Sequence, residues 1–171
     1  MKTEASAQGF RLNVVLFEPE IPQNTGNIAR SCAAVGARLH LIEPLGFSVS
    51  DRRLKRAGLD YWHLVDIMYY EGFPAFLSRA RQGNLVFITK TASRTYDTVD
   101  FSGDVYLIFG KETTGLPPDI LRAHHDRCVR IPMRAEARSL NLSNAVAIVL
   151  YEACRQNDFG RLKLNGSREF N

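Results

Sequence analysis

The chain lacks the long apolar run, the paired cysteines and the nucleotide-binding fingerprints by which many sequences reveal their class. No stretch of about 18 apolar residues occurs, which excludes a membrane-spanning helix. The amino-terminal MKTEASAQGFR has no hydrophobic segment, so it does not read as a signal peptide. Only three cysteines are present, Cys32, Cys128 and Cys154. They are far apart and form no CxxC pair, which argues against structural zinc and for reduced, buried thiols in a cytoplasmic protein. His40, His63, His124 and His125 show neither HExxH nor another metal spacing, so no metal is expected. GKETTG at Gly110–Gly115 superficially suggests a phosphate loop. However, Lys111 is followed by Glu112 rather than Ser or Thr, and Val105 stands where the leading glycine belongs. No GxGxxG follows a strand and no serine sits in a GxSxG turn, which disfavours dinucleotide-binding and hydrolase readings. Repeats and low-complexity tracts are also missing.

What is present suits one domain. The 171 residues are 45% apolar and 23% charged, enough for a sizeable core. The polar stretches at 1–10 and 158–171 read as a flexible extension and a tail around a domain at 11–157. The net charge of +4 permits a polyanionic partner. Its distribution says more. Arg52, Arg53, Lys55 and Arg56 form one cluster, and Arg127, Arg130, Arg134 and Arg138 form a second. Two separate clusters in so small a domain predict phosphate contact. Arg161, Lys163 and Arg168 are more diffuse and read as solvated surface.

Apolar runs and helical periodicity alternate along the chain. Leu12–Glu18, Leu39–Ile42, Leu85–Thr89 and Val105–Phe109 are buried-strand candidates, with a weaker strand at His63–Tyr69 and a short one at Cys128–Ile131. Helices are predicted at Asn24–Val35, Asp51–Ala57, Pro74–Arg81 and Leu142–Gln156. For the first of them Asn24 or Thr25 is the expected cap and Gly36 the stop. Strands separated by helices imply an α/β domain with a mostly parallel sheet flanked by helices.

Ligands in such sheets bind at the loops after the carboxyl ends of strands. Three of those loops carry unusual chemistry: EPEIPQNTGNIAR after the first strand, GKETTGLPPD after Val105–Phe109, and the basic loop within Arg127–Ala153. The last leads through Ser139, Asn141, Ser143 and Asn144 into a helix with little polar surface. Polar groups crowded there must satisfy backbone donors at the helix start or hold a ligand. An almost wholly apolar helix must be covered on several sides. Leu142, Val146, Val149, Leu150 and Ala153 form one face, and Ala145, Ile148 and Glu152 form another beside Tyr151.

NTGNIAR at Asn24–Arg30, IFGKETTGLP at Ile108–Pro117 and RIPMRAEARSLNLSNAVAIVLYE at Arg130–Glu152 resemble the three signature motifs of the SPOUT methyltransferases. With IEPLGF and RLKRAGLDYW between them, the match extends from about Arg11 to Gln156 and is similar to the small bacterial members that methylate a tRNA wobble ribose. Lys111 departs from the pattern, since many relatives have proline before the Glu-Thr pair.

The resemblance implies a deep carboxy-terminal trefoil knot, an exception to the rule that chains avoid threading. It implies S-adenosylmethionine as cofactor, contacted by Ile88, Gly110, Ile131, Ser139 and Leu140, and 2′-O-methylation of cytidine or uridine 34 in tRNA. Arg30 matches the catalytic arginine of the first motif. Guanidinium hardly deprotonates in proteins, so electrostatic activation of the ribose hydroxyl is its expected task. Asn24, Glu112 and Asn141 follow as positioning groups, with loop bracing as the other role open to Glu112 and helix capping as that open to Asn141 and Asn144. Arg138 and Tyr151 are expected contacts to the tRNA anticodon stem-loop. A homodimer using the first and last helices is implied too. A methyltransferase for another tRNA or rRNA site, and a knotted RNA-binding protein without catalysis, remain open alternatives at this point.

Overall fold

Val14 and Leu16 are buried toward one side of the first strand, while Val15 and Phe17 are buried toward the other. A strand apolar on both faces belongs at the centre of a sheet covered on both sides. The computed structural model, which describes residues 10–48, 59–160 and 162–165, places it there. Strands β1 (Arg11–Phe17), β2 (Arg38–Ile42), β3 (Ile67–Tyr70), β4 (Asn84–Ile88), β5 (Asp104–Phe109) and β6 (Cys128–Val129) form a six-stranded sheet of order β3-β2-β1-β5-β4-β6. Every pairing is parallel. The expected extension at 1–9 and the basic helix Asp51–Ala57, with Arg52, Arg53, Lys55 and Arg56, lie outside the described residues. So do Arg161 and Arg168 of the tail.

Four α-helices cover the sheet among the described residues: α1 (Pro22–Val35), α2 (Phe73–Arg79), α3 (Pro118–Ala123) and α4 (Leu142–Gln156). α1 and α4 share one face. There Ile28, Ala29, Cys32, Val146, Val149, Leu150 and Ala153 pack on Leu12, Val14, Leu39, Leu41 and Leu107. The face read from the spacing in α4 is thus the buried one. α2 covers the other side through Phe76 and Ala80, joined by Ile120 and Leu121 of α3. The three cysteines are buried and unbridged, and burial pushes the Cys32 thiol up to about 12, leaving it unreactive.

Several elements differ from expectation, each for a local reason. α1 begins at Pro22, not Asn24, because proline suits the first helical position. Asn24 and Thr25 therefore sit inside the helix, buried, and neither is its cap. Gly36 does end it, at φ 71°. The stretch read as a strand at His63–Tyr69 divides into a 3₁₀ turn at Leu59–Leu64 and β3. Asp66, between them, turns its carboxylate to Arg38 (2.8 Å) and its carbonyl to Leu39 N–H (3.0 Å). β6 ends at Val129, whose carbonyl accepts from Thr89 N–H (2.9 Å); Arg130 faces the other way, its N–H donating to the Arg94 carbonyl (2.8 Å) and its carbonyl accepting from Tyr96 N–H (3.0 Å). α3 was not foreseen, although Pro118 at its first turn is a start signal.

Among the described residues no helix is long and apolar enough to cross a membrane, and no group of three or more His, Cys, Asp or Glu side chains could hold a metal ion.

Candidate active site

Chain order reverses at the junction of β1 and β5, so the loops leaving those two strands face each other across the crevice where ligands of parallel sheets bind. A chain of polar contacts closes it. The Glu112 carboxylate accepts from Glu20 N–H (2.8 Å), Ile21 N–H (3.2 Å) and the Asn24 side-chain amide (3.0 Å). Glu20 reciprocates, accepting from Thr113 N–H (3.1 Å) and the Thr113 hydroxyl (2.8 Å). Below them Lys111 Nζ meets the Glu18 carboxylate at 2.5 Å, and that hydrogen bond raises the Lys111 pKa. Ile21, the residue before α1, offers no side-chain cap. Glu112 acts as one from 88 to 92 residues away, with its negative charge at the positive end of the helix.

The relay continues to the third loop. Asn24 Oδ1 accepts from the Asn141 amide (3.0 Å), while Asn141 Oδ1 accepts from Ser143 N–H (2.9 Å), Ser143 Oγ–H (2.6 Å) and Asn144 N–H (3.4 Å). Asn141 is therefore the cap of α4 and a partner of Asn24 at once. Asn144 contributes its backbone donor to that cap, and its side chain has no hydrogen bond among the described residues. Glu112, Asn24 and Asn141 thus join the three motif loops in one hydrogen-bonded line. Thr25, next to Asn24, is fully buried, and its hydroxyl has no hydrogen-bond partner among the described residues.

The residues expected at the cofactor divide into two sets. Ile88, Gly110 and Ile131 lie at or just beyond the carboxyl ends of the adjacent strands β4, β5 and β6, where Ile88 is in register with Phe109 and Val129. Ile88 and Ile131 are half-buried and pack on the core formed with α1 and α4. Gly110 needs its hydrogen for the loop's own return: a Cβ there would collide with the backbone of Gly115 and Leu116. Gly115 supports the same turn, at φ 72° and bonded to the Lys111 carbonyl (2.9 Å). Ser139 and Leu140 lie on the exposed approach to Asn141, Leu140 being 40% exposed. Half-buried isoleucines beside a glycine turn fit a nucleoside cofactor held by apolar and backbone groups, without a cluster of charges.

Arg30 occupies a different place. It lies on the exposed face of α1, with its guanidinium 4.8 Å above the Tyr61 ring. With Asn27, Ser31, Ser143, Asn144 and Tyr151 it lines a groove of about 390 Å³ between α1 and α4. Ser143 belongs both to this groove and to the Asn141 cap, so the arginine adjoins the relay. Tyr151 falls in the groove, whereas Arg138 is exposed on the loop, without a side-chain hydrogen bond or ion pair among the described residues. Sequence reasoning missed Asn27, Ser31, Tyr61, Glu20 and Thr113. Asn27 and Ser31 were accessible through helical spacing from Arg30; the long-range partners Tyr61, Glu20 and Thr113 had no such signal.

His40 has a structural place. It is 2% exposed between Asn13 Oδ1 (3.1 Å) and the Tyr70 hydroxyl (2.8 Å). The Asn13 amide donates to Asp104 and the Val105 carbonyl, so its oxygen must accept from Nε2–H of a neutral ring. Burial, with Arg38 nearby, lowers the His40 pKa to about 4.

A wholly parallel sheet whose ligand edge combines glycine turns, amide and hydroxyl groups and an arginine without a carboxylate partner among the described residues defines an α/β ligand-binding domain. Comparison with known proteins makes the class specific: residues 11–151 match the SpoU rRNA Methylase family, and the chain belongs to it. A Yersinia pestis tRNA (cytidine(34)-2'-O)-methyltransferase is 50% identical over 151 residues, covering 85% of this chain and 93% of its own. A solved structure concerned with 2-OH methylation of C/U34 on tRNA has TM-score 0.83 and 44% identity, covering 88% of this chain and 98% of its own. An AdoMet-bound rRNA methyltransferase from Sinorhizobium meliloti has TM-score 0.79 and 29% identity, over 89% of this chain and 59% of its own.

Proposed function

We propose that this protein transfers the methyl group of S-adenosylmethionine to the ribose 2′-hydroxyl of nucleotide 34, cytidine or uridine, in tRNA. The observation that carries this reading is the line Glu112–Asn24–Asn141, which ties the three motif loops together beside the Arg30 groove. Likeness to the Yersinia enzyme over nearly its whole length points to the substrate.

The cofactor supplies an electrophilic methyl on a sulfonium sulfur. Ile88, Gly110, Ile131, Ser139 and Leu140 would hold it. A ribose hydroxyl is a poor nucleophile, so the protein must orient it and stabilise the charge developing on oxygen. Arg30 does this as a permanent cation. Among the described residues the groove is lined by Arg30 and by amide and hydroxyl groups, so these contribute positive charge and hydrogen bonds. Asn24, Glu112 and Asn141 act as positioning residues, holding the start of both helices.

The rest of the reading concerns assembly and setting. Residues 11–157 are the methyltransferase domain, acting in the cytoplasm on the anticodon stem-loop, with Arg138 and Tyr151 as RNA contacts. The carboxy-terminal part forms a trefoil knot. Supporting this, the 89–103 loop is held on two sides, by Arg130 at Arg94 and Tyr96 and by Gln156 and Asn157 at Phe101. A homodimer covers α1 and α4, which leave Ile148 (37%) and Tyr151 (46%) exposed beside the groove.

The deciding experiment maps 2′-O-methylation in tRNA from a deletion strain and restores it in vitro with purified protein and labelled cofactor. Loss and recovery confined to nucleotide 34 is expected. Unchanged wobble nucleotides, or recovery at another site, would refute the substrate assignment.

A further inference from the structure

Beyond the groove and the cofactor edge, the fold adds Arg94 to the basic cluster that contains Arg127 and Arg130. We infer that Arg94, Arg127 and Arg130, along the free edge of β6, form a second RNA surface that takes backbone phosphates of the tRNA away from the reacting nucleotide. The inference rests on the tRNA reading above.

β6 is the outermost strand, and the Arg94–Tyr96 segment runs beside its end. The Arg94 carbonyl accepts from Arg130 N–H (2.8 Å), and Tyr96 N–H donates to the Arg130 carbonyl (3.0 Å). The Arg94 guanidinium turns back along the strand and donates to the Asp126 carbonyl (3.1 Å), which fixes it next to Arg127. Segments 32 positions apart are thereby held together, which brings Arg94 to the stretch that carries Arg127.

Ordinarily such a cluster is offset by carboxylates. Among the described residues the ion pairs are Arg38–Asp66, Lys111–Glu18, Arg134–Glu136 and Arg155–Glu152. None involves the three arginines, and Asp97 and Asp126 are the acidic side chains in their immediate stretches. Arg94 spends one donor on a carbonyl, leaving four N–H groups of its fixed fork available. Arg94 and Arg127 are exposed and Arg130 is half-buried.

The arrangement is a strip along an edge, not an enclosed cavity, so it suits a series of phosphates rather than one small anion. Guanidinium is the group best matched to phosphate oxygens. Continuity with the reaction centre follows from Ile131, which succeeds Arg130 and, like Ile88, packs on the core at the cofactor edge. RNA reaching Arg30 on one side of the molecule is held on another, and the contacts fix its position without reading bases.

The test uses Arg94→Gln, Arg127→Gln and the double variant, with tRNA binding measured by fluorescence anisotropy between 50 and 200 mM salt. Each phosphate contact removed should lower the slope of log K against log[salt] by about 0.7–0.9. Affinity should fall for every tRNA alike, while S-adenosylmethionine affinity by calorimetry and kcat at saturating tRNA stay at wild-type values. A double variant with wild-type slope and affinity would overturn the surface yet leave the methylation reading intact. Wild-type protein that binds no tRNA overturns both.

Discussion

Replacing Glu112 by alanine tests how the site is built. The carboxylate receives three hydrogen bonds, from Glu20 N–H, Ile21 N–H and the Asn24 amide. Hydrogen bonds to charged groups contribute about 1.5 kcal/mol or more each. Ile21 is 44% exposed, so its freed N–H recovers water and loses little. The Asn24 amide is 5% exposed, and leaving it unpaired costs about 1–3 kcal/mol. Removing the charge from the start of α1 adds about 0.3–1 kcal/mol. Together these predict a loss of about 3 kcal/mol for Glu112→Ala. For Glu112→Gln, which keeps one good acceptor, the loss is about 1–2 kcal/mol. Equilibrium urea unfolding reads the difference directly, and Tm should fall by roughly 6–12 °C for the alanine variant. Cofactor affinity should weaken in parallel, because Gly110 leads straight into the braced loop. An alanine variant within about 0.5 kcal/mol of wild type would refute the bracing argument. Normal stability with lost methyl transfer would instead place Glu112 on the ligand.

The remaining predictions touch separate parts of the molecule. His40 stays neutral in the fold down to about pH 4 against 6.5 for an ordinary histidine, so the unfolded chain binds the extra proton in that window. The stabilising contribution is complete above pH 6.5 and declines by about 3 kcal/mol as pH falls to 4; urea titrations should show a flatter pH dependence in His40→Gln, and identical slopes would count against it. Arg30→Ala should abolish methyl transfer while leaving cofactor affinity near wild type; a large affinity loss by calorimetry would make Arg30 structural. Gly110→Ala should reduce cofactor affinity at least tenfold and destabilise by about 1–3 kcal/mol through overpacking against Gly115, and wild-type binding would contradict the tight return drawn here. Ile148→Glu should give a monomer by light scattering, and a persistent dimer would place the interface elsewhere.

Much was legible before any coordinates. The valine-rich run of β1, the stop at Gly36 and the whole of Leu142–Gln156 follow from local rules, since burial period and capping act within a few residues. The all-parallel sheet follows from alternating strands and helices, and the three loops from their polarity and glycine content. Local rules failed where a distant partner intervened. Asn24 looked like a cap but is buried as a link between Glu112 and Asn141, and Arg130, read as part of the last strand, pairs with Arg94 and Tyr96 instead of with β4.

Residue types and their spacing therefore determined the class of fold, while the resemblance of three motifs pointed to the family, with Arg30 as the lone cation of the first motif. Tertiary structure alone decided what those residues do for one another. Hydrogen bonds spanning 88 to 117 positions define the relay from Glu112 to Asn141, and no periodicity encodes them. The same holds for Arg94 beside Arg127. Short-range physics selects helices, strands and turns; the pairing of remote polar groups is chosen only when packing brings their backbones together and leaves each buried donor in need of an acceptor.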